Sequence, residues 1–587
     1  MTLFKAAKSC YLAPDMDNNS NLFAAILLSV LILIGFQYLY VKPQQEHYRQ
    51  QVLAEKTAMP PKAEAVAAPE VAGTLRDRAA IISESPRIPI STPQLRGSIN
   101  LKGARLDDLE LVQYRETIDP HSPRITLLSP SGSAAPHLSY YAEFSWLGDG
   151  TVSVPGAQTE WKADGKSLSP KAPLRLNWSN GQGLSFERTI AIDDNFMITL
   201  TDRVHNTGSA PVTLYPFGLI ARQGMPSEHS TYILHEGPLG VLNGTLEEHK
   251  YATLAEEGKK TMDSQGGWLG MTDKYWLVAM VPPQTEKLSA TFAHSPGKSD
   301  TAHGFFQTDF RGAAMNVPAG GSIEHTSQLF AGAKRVRLLD DYGKKYDIPR
   351  FDRAIDFGWF YFLTKPFLYL LDYLSESMGS FALALLVFTV MLKLLTLPLT
   401  LKSNHSMARM KALQPEMKRI QERFADDRMK QGQEMMELYK REKVSPMSGC
   451  VPTLIQIPIF FALYKVLYVG IEMRQVPFYG WIKDMSAPDP TSVFTLFGLI
   501  AWTPPMALQI GIWPILMGLS MFLQQRLSPQ PPDKTQARMF MLMPILFTYM
   551  LSHMPAGLVI YWTWSNLLSI GQQWFIMRQD ARRAGKT

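Results

Sequence analysis

Three regimes of hydrophobic patterning follow one another along the 587-residue chain. Residues 22–41 (LFAAILLSVLILIGFQYLYV) form an uncharged run long enough to span a bilayer. No small-residue cleavage site follows it, so a retained transmembrane anchor is expected rather than a removed signal peptide. Residues 42–88 are rich in Ala, Pro, Glu, Lys and Gln, which predicts a flexible tether. From 89 to 345 short runs alternate apolar and polar positions between clusters of Gly, Pro, Asn and Ser. Leu184, Phe186, Ile190 and Ile192 alternate up to a turn at Asp193, Asp194 and Asn195, and Phe196, Ile198, Leu200 and Val204 alternate after it. That is a β-hairpin pattern, and its repetition predicts a β-sandwich. Trp146, Trp161 and Trp178 either pack its core or stack on sugar.

Beyond 345 the pattern changes to helical. Residues 351–375 are aromatic and amphipathic with Pro366 inside, which predicts a helix lying at a membrane interface. Residues 379–577 are membrane-like, with apolar segments near 381–401, 451–471, 512–527, 539–554 and 558–577. The expected fold is a polytopic α-helical membrane protein. It has an N-terminal anchor helix plus a five-helix core, a large extracytoplasmic β-sandwich domain and a cytoplasmic helical hairpin. Val493–Ile510 is apolar but broken by Thr503, Pro504 and Pro505, so it reads as an interfacial or re-entrant excursion. Within 402–445, Met407, Met410, Leu413, Met417, Ile420 and Phe424 recur at three- and four-residue spacing, and Met435, Met436, Leu438 and Tyr439 face back. The stripe either packs the two arms on each other or docks a partner, with Met407, Met410, Leu413 and Met417 as docking candidates.

Charge orients these elements. Residues 401–450 hold eleven Lys/Arg against seven Asp/Glu, the 526–538 loop adds Arg526, Lys534 and Arg538, and the tail 578–587 adds Arg578, Arg582, Arg583 and Lys586. The positive-inside rule puts all three in the cytoplasm with residues 1–21, and the β-domain and the 493–510 excursion on the other side. Cys10 and Cys450 both fall outside the β-domain, which therefore has no disulfide framework. The short lead-in beginning at Met16 is complete by itself, so Met16 is the expected start.

Catalytic signatures are missing. Gly297, Lys298 and Ser299 resemble the end of a phosphate loop, but Phe292 stands where its first glycine belongs. No HExxH, CxxC or clustered metal set occurs, so no enzyme, metal, cofactor or nucleic-acid specificity is expected. Chemistry concentrates instead at Lys393, the lone charge of 381–401, where Thr389, Lys393, Thr396 and Thr400 fall at i, i+4, i+7 and i+11. A central cation costs roughly 2.5–3.5 kcal/mol on insertion scales and so faces a wet cavity or snorkels; four polar positions in register favour the cavity. Gln456, Ser565, Asn566 and Ser569, with Gln572 and Gln573, either join that groove or bond helices together. The spans contain no Asp or Glu, unlike a proton-coupled carrier. Lys465, near Glu472, is expected to snorkel. Met541, Met543 and Phe547 with Ile459 and Phe460 offer either core filling or an adaptable surface along which an apolar segment slides.

Four stretches match a known pattern: LTLPLT at 395–400, MARMKALQPEMKRIQERFADD at 407–427, ELYKREKVSPMSGCVPTLIQIPIFFALY at 437–464 and GLVIYWTWSNLLSIGQQ at 557–573. Together with the order of anchor, β-domain, interfacial helix and helical core, they resemble the YidC family of membrane-protein insertases. The resemblance implies a cytoplasm-facing groove with a positive residue, a place occupied here by Lys393 where arginine is commoner. It puts Thr389, Gln456 and Trp562 along that groove, the last where a tyrosine is often found, and makes the 493–510 excursion longer than in the best-known members. It also implies a bacterial inner membrane, nascent membrane proteins as substrates, and the Sec translocon (SecYEG, SecDF) as partner. The ribosome and the signal-recognition receptor would meet the hairpin and tail. No cofactor and no sugar are implied. An assembly scaffold and a small-solute transporter remain alternatives.

Overall fold

The computed structural model describes residues 75–584 apart from 151, 227–233, 297–303, 443, 445–450, 501, 503, 506–507 and 528–533. The expected anchor at 22–41, most of the tether, both cysteines and the start at Met16 lie outside the described residues. Between Arg87 and Ala333, nineteen strands form two antiparallel sheets of ten and nine. The hairpin read from alternation is present: Leu184–Ile192 pairs with Met197–Asn206, Ile192 facing Ile198. Asp193 builds its turn by accepting the backbone N–H of Asn195 and of Met197 at 2.9 and 3.0 Å. Leu184, Phe186, Ile190 and Ile192 all point into the core.

Charge crosses between the sheets. Arg188, fully buried, forms a two-pronged pair with Asp202 at 2.7 Å and donates to the Phe144 carbonyl of the opposite sheet at 2.8 Å. Trp146 donates its Nε1–H to the same Asp202 at 3.1 Å, and the Arg188 guanidinium lies over the Trp161 ring. These two tryptophans, and Trp178 against Phe186, are packing residues. A buried cation with all its bonds made is tolerated; one stripped of its partner is not.

Three short helices, α1 (Arg78–Ser83), α2 (Tyr251–Glu257) and α3 (Val336–Lys345), accompany the sheets. The aromatic helix α4 spans Tyr361–Met378 and does not start at Phe351, where a single 3-10 turn stands instead. The interruption has a cause. Gly358 takes a left-handed φ of 67°, and Asp356 accepts both the Gly358 N–H at 3.0 Å and the Lys465 ammonium at 2.8 Å. Lys465 is therefore ion-paired, not snorkelling. Trp359, Phe362 and Tyr373 are left exposed, as an interfacial element requires.

Six helices follow: α5 (Phe381–Arg423), α6 (Arg428–Arg441), α7 (Val451–Val469), α8 (Ile512–Leu527), α9 (Lys534–Leu551) and α10 (Ala556–Ala584). The expected boundary at 402 is not a break. The first apolar segment and the first hairpin arm are one 43-residue helix running through Pro398 and Pro415. Among the described residues, Phe381–Ser403 is the stretch of helix long and apolar enough to cross a bilayer by itself; Leu454–Val469 and Arg538–Leu551 are apolar but shorter. The turn after α7 holds the β-domain. Arg474 and Gln475 donate to the Arg115 carbonyl at 2.6 and 3.2 Å, and Glu472 accepts the Val336 N–H that opens α3 at 3.3 Å. The other Glu472 oxygen is buried without a bond, and this burial pushes the carboxyl up to about 7.

Candidate functional site

Lys393 is the thirteenth residue of α5, and its ammonium donates to the Ser569 hydroxyl of α10 at 2.9 Å. Ser569 in turn donates to the Ser565 carbonyl at 3.0 Å. No carboxylate reaches the lysine among the described residues, so its charge is met by neutral oxygen alone. Thr389, Thr396 and Thr400 return their hydroxyl protons to carbonyls four residues back, at 2.7, 2.9 and 3.0 Å. Their oxygens keep free lone pairs beside the lysine. Pro398 has no N–H for the Leu394 carbonyl, which leaves an acceptor without its helical partner one residue after Lys393.

Further polar and aromatic contacts to α10 come from α7 and α9. Gln456 donates to the Tyr561 hydroxyl of α10 at 2.9 Å, joining two helices through neutral groups. Trp562 packs against Phe460 and Phe547, with ring centres 4.6 and 5.4 Å away. α7, α9 and α10 thus meet at one indole, with Ile459 half-buried nearby on α7. Met543 is half-buried and Met541 is exposed on the outer face of α9, beside Leu542, Ile545 and Leu546. Ser565 is buried. Asn566 takes the helix-bonding alternative, donating to Ser520 of α8 at 3.0 Å, and so is committed away from the groove.

One residue escaped the periodicity argument. Tyr561 is buried and had no polar neighbour in sequence to advertise it; the signal was that a buried phenol needs a partner. Gln573, named with Gln572 from the sequence and one turn beyond Ser569, keeps a buried Oε1 with no hydrogen bond.

In the hairpin, Asp427 caps α6 through the Lys430 N–H at 3.0 Å, and Arg441 pairs with Glu416 of α5 at 2.9 Å. Met417 is buried with its sulfur 4.0 Å from the Tyr439 hydroxyl, so arm packing takes it and docking does not. Met410 and Leu413 stay half-exposed, and the Met407 side chain lies outside the described residues. Among the described residues no His, Cys, Asp or Glu cluster is arranged to hold a metal.

Two family models tile this architecture: the YidC periplasmic domain over residues 87–370 and the 60Kd inner membrane protein over residues 373–583. The chain is 47% identical to the membrane protein insertase YidC of Methylorubrum extorquens (strain PA1) over 595 residues, covering 96% of each chain. The chain belongs to the YidC family. The YidC of Bradyrhizobium diazoefficiens is 48% identical over 604 residues, covering 96% of this chain and 97% of that one; that of Brucella suis biovar 1 is 47% identical over 594, covering 96% of each. The crystal structure of an active YidC insertase aligns with 84% of this chain and 96% of its own, at 16% identity and a TM-score of 0.34. As a YidC chain it is an inner-membrane protein with a periplasmic β-sandwich and a helical C-terminal region.

Proposed function

We propose that this chain is a membrane protein insertase that works through the polar face shared by α5, α7 and α10. The polar flank of a nascent segment enters from the cytoplasm, where Lys393, Thr389, Thr396, Gln456, Ser565 and Ser569 replace part of its water. Its apolar part meanwhile moves along Phe460, Phe547, Met541 and Met543 into lipid, driven by roughly 25 cal/mol per Å² of apolar surface removed from water. Every one of these polar groups except Lys393 is neutral, so an acidic flank gains most. No bond is made or broken in the substrate. The hairpin, the tail and the β-domain lie on the sides that the positive loops assign them, with both termini cytoplasmic. The hairpin and tail meet the ribosome or its receptor, and the Sec translocon is a co-worker for larger substrates.

The observation that carries this reading is the Lys393–Ser569 bond: a half-buried cation inside an apolar helix whose partner is a neutral hydroxyl that a substrate carboxylate can displace. The test replaces Lys393 with Ala, Arg and Glu and measures insertion of a single-span substrate with an acidic outer flank, at matched accumulation. Loss with Ala and Glu and retention with Arg support the groove. Full insertion by Lys393→Ala moves the scaffold reading ahead.

A further inference from the structure

Between Asp489 and Arg526 the chain carries no charge, and ahead of α8 the described residues hold a short 3-10 turn and no α-helix. The base of this segment is pinned. Asp489 accepts from Trp481 Nε1 at 3.1 Å, from the Thr491 N–H at 3.0 Å and, through its other oxygen, from the Trp513 N–H at the start of α8 at 2.9 Å. The neck is closed by Val493 N–H to the Ile510 carbonyl at 3.0 Å and by the Ser492 hydroxyl to the Leu508 carbonyl at 3.2 Å.

Above the neck, the 3-10 turn Val493–Gly498 holds Leu496 and Phe497 in left-handed conformations, φ 46° and 60°. Such conformations are unusual for bulky side chains. The turn nonetheless presents its large residues outward: Leu499 is 86% exposed, and Phe494, Leu496, Phe497, Ile500 and Trp502 are each about half exposed. Water penalises every one of those surfaces. Several described backbone donors, by contrast, are satisfied internally. The N–H groups of Phe497, Leu499, Ile500, Trp502 and Leu508 find carbonyls within the loop, and Pro504 and Pro505 have none to satisfy. Internal satisfaction of donors beneath an apolar exterior is what hydrocarbon demands of a non-helical segment.

We propose that the turn at Val493–Gly498 with Leu499, Ile500 and Trp502 forms a hydrophobic finger seated among the acyl chains of the leaflet next to the β-domain, entering the bilayer without crossing it and fastening the adjoining end of α8. Lipid is favoured over a protein partner on two grounds. The finger runs without a charged rim directly into the apolar helix α8, and aromatic residues (Tyr479, Trp481, Trp502) ring its base and flank as they do at membrane surfaces.

The experiment uses the full chain with Cys10 and Cys450 changed to Ser and a nitroxide on Leu499→Cys, reconstituted in vesicles of phosphatidylcholine and phosphatidylglycerol. Power saturation compares access to oxygen with access to a water-soluble nickel chelate. The expected result is oxygen access several-fold above nickel access, matching a label at Leu395→Cys on the exposed face of α5 and opposite to one at Lys166→Cys in the β-domain. Nickel access like that of Lys166→Cys overturns the proposal, as does low access to both reagents, which marks a protein cover; spin–spin broadening would then identify a second copy. Phe497→Cys repeats the measurement should Leu499→Cys fail to accumulate.

Discussion

The β-domain surrounds its buried cations with carboxylates, and the helical core leaves Lys393 without one among the described residues. In the β-domain the deep arginines are matched, Arg188 with Asp202, Arg222 with Asp273 and Arg87 with Asp107, while the buried Lys334 donates to the Thr272 hydroxyl at 2.9 Å with the carboxylates of Asp273 and Asp356 acting on it through space. In the core, among the described residues, Lys393 has the Ser569 hydroxyl as its partner and Gln456 the Tyr561 hydroxyl. A matched charge makes a rigid, self-contained body; a charge met by neutral oxygen keeps most of its attraction unspent and available to a visitor. The boundary between the two regimes is itself matched, through Lys465 with Asp356 and Lys365 with Asp340 and Asp352.

Breaking a matched pair has the largest expected effect. Asp202→Ala strands Arg188 between the sheets and is expected to lower β-domain stability by about 3–5 kcal/mol, read by chemical denaturation of the full chain. Lys393→Glu should do the reverse: at least a tenfold loss of insertion of an acidic-flanked substrate, with the thermal midpoint held near that of the parent. A midpoint collapse in Lys393→Glu would erase the contrast. Glu472→Gln probes the seam. Burial raises this carboxyl to about 7, so the stability it contributes is full below its unfolded value and lost as pH rises through about 7. The glutamine variant should match the parent at about pH 4 and exceed it in thermal midpoint at about pH 8. Gln456→Ala and Tyr561→Phe are expected to couple by only about 0.5–1.5 kcal/mol in a double-mutant cycle, as one neutral hydrogen bond does. Ser569→Ala is smallest of all, sharpening Lys393 by removing its resting partner and leaving insertion of acidic-flanked substrates intact or improved.

What was legible in the sequence followed from local period. Alternation at 184–204 identified a hairpin and its turn, and the i, i+4, i+7 stripe placed Thr389, Lys393 and Thr396 together, because both patterns are read within a few residues. Pairings across long separations were not legible. Lys465 looked like a snorkelling lysine because its partner, Asp356, is 109 residues away. Asn566 looked like a groove residue because Ser520 carries no mark that it will receive a bond. The unbroken course of α5 was hidden by two prolines and an abrupt change from apolar to charged residues, which mimic an ending. A helix tolerates both once neighbouring elements support it.

That continuity has a mechanical corollary. At a rise of about 1.5 Å per residue, Lys393 stands about 18 Å from the Phe381 end of α5 and the far tip at Arg423 stands about 63 Å away. A tilt of about 5° about the Phe381 end therefore displaces the tip by about 5–6 Å and Lys393 by less than about 2 Å. The helix is a reduction lever: a coarse push from a large body outside the membrane arrives at the lysine as a movement of under about 2 Å, enough to break one hydrogen bond and little more.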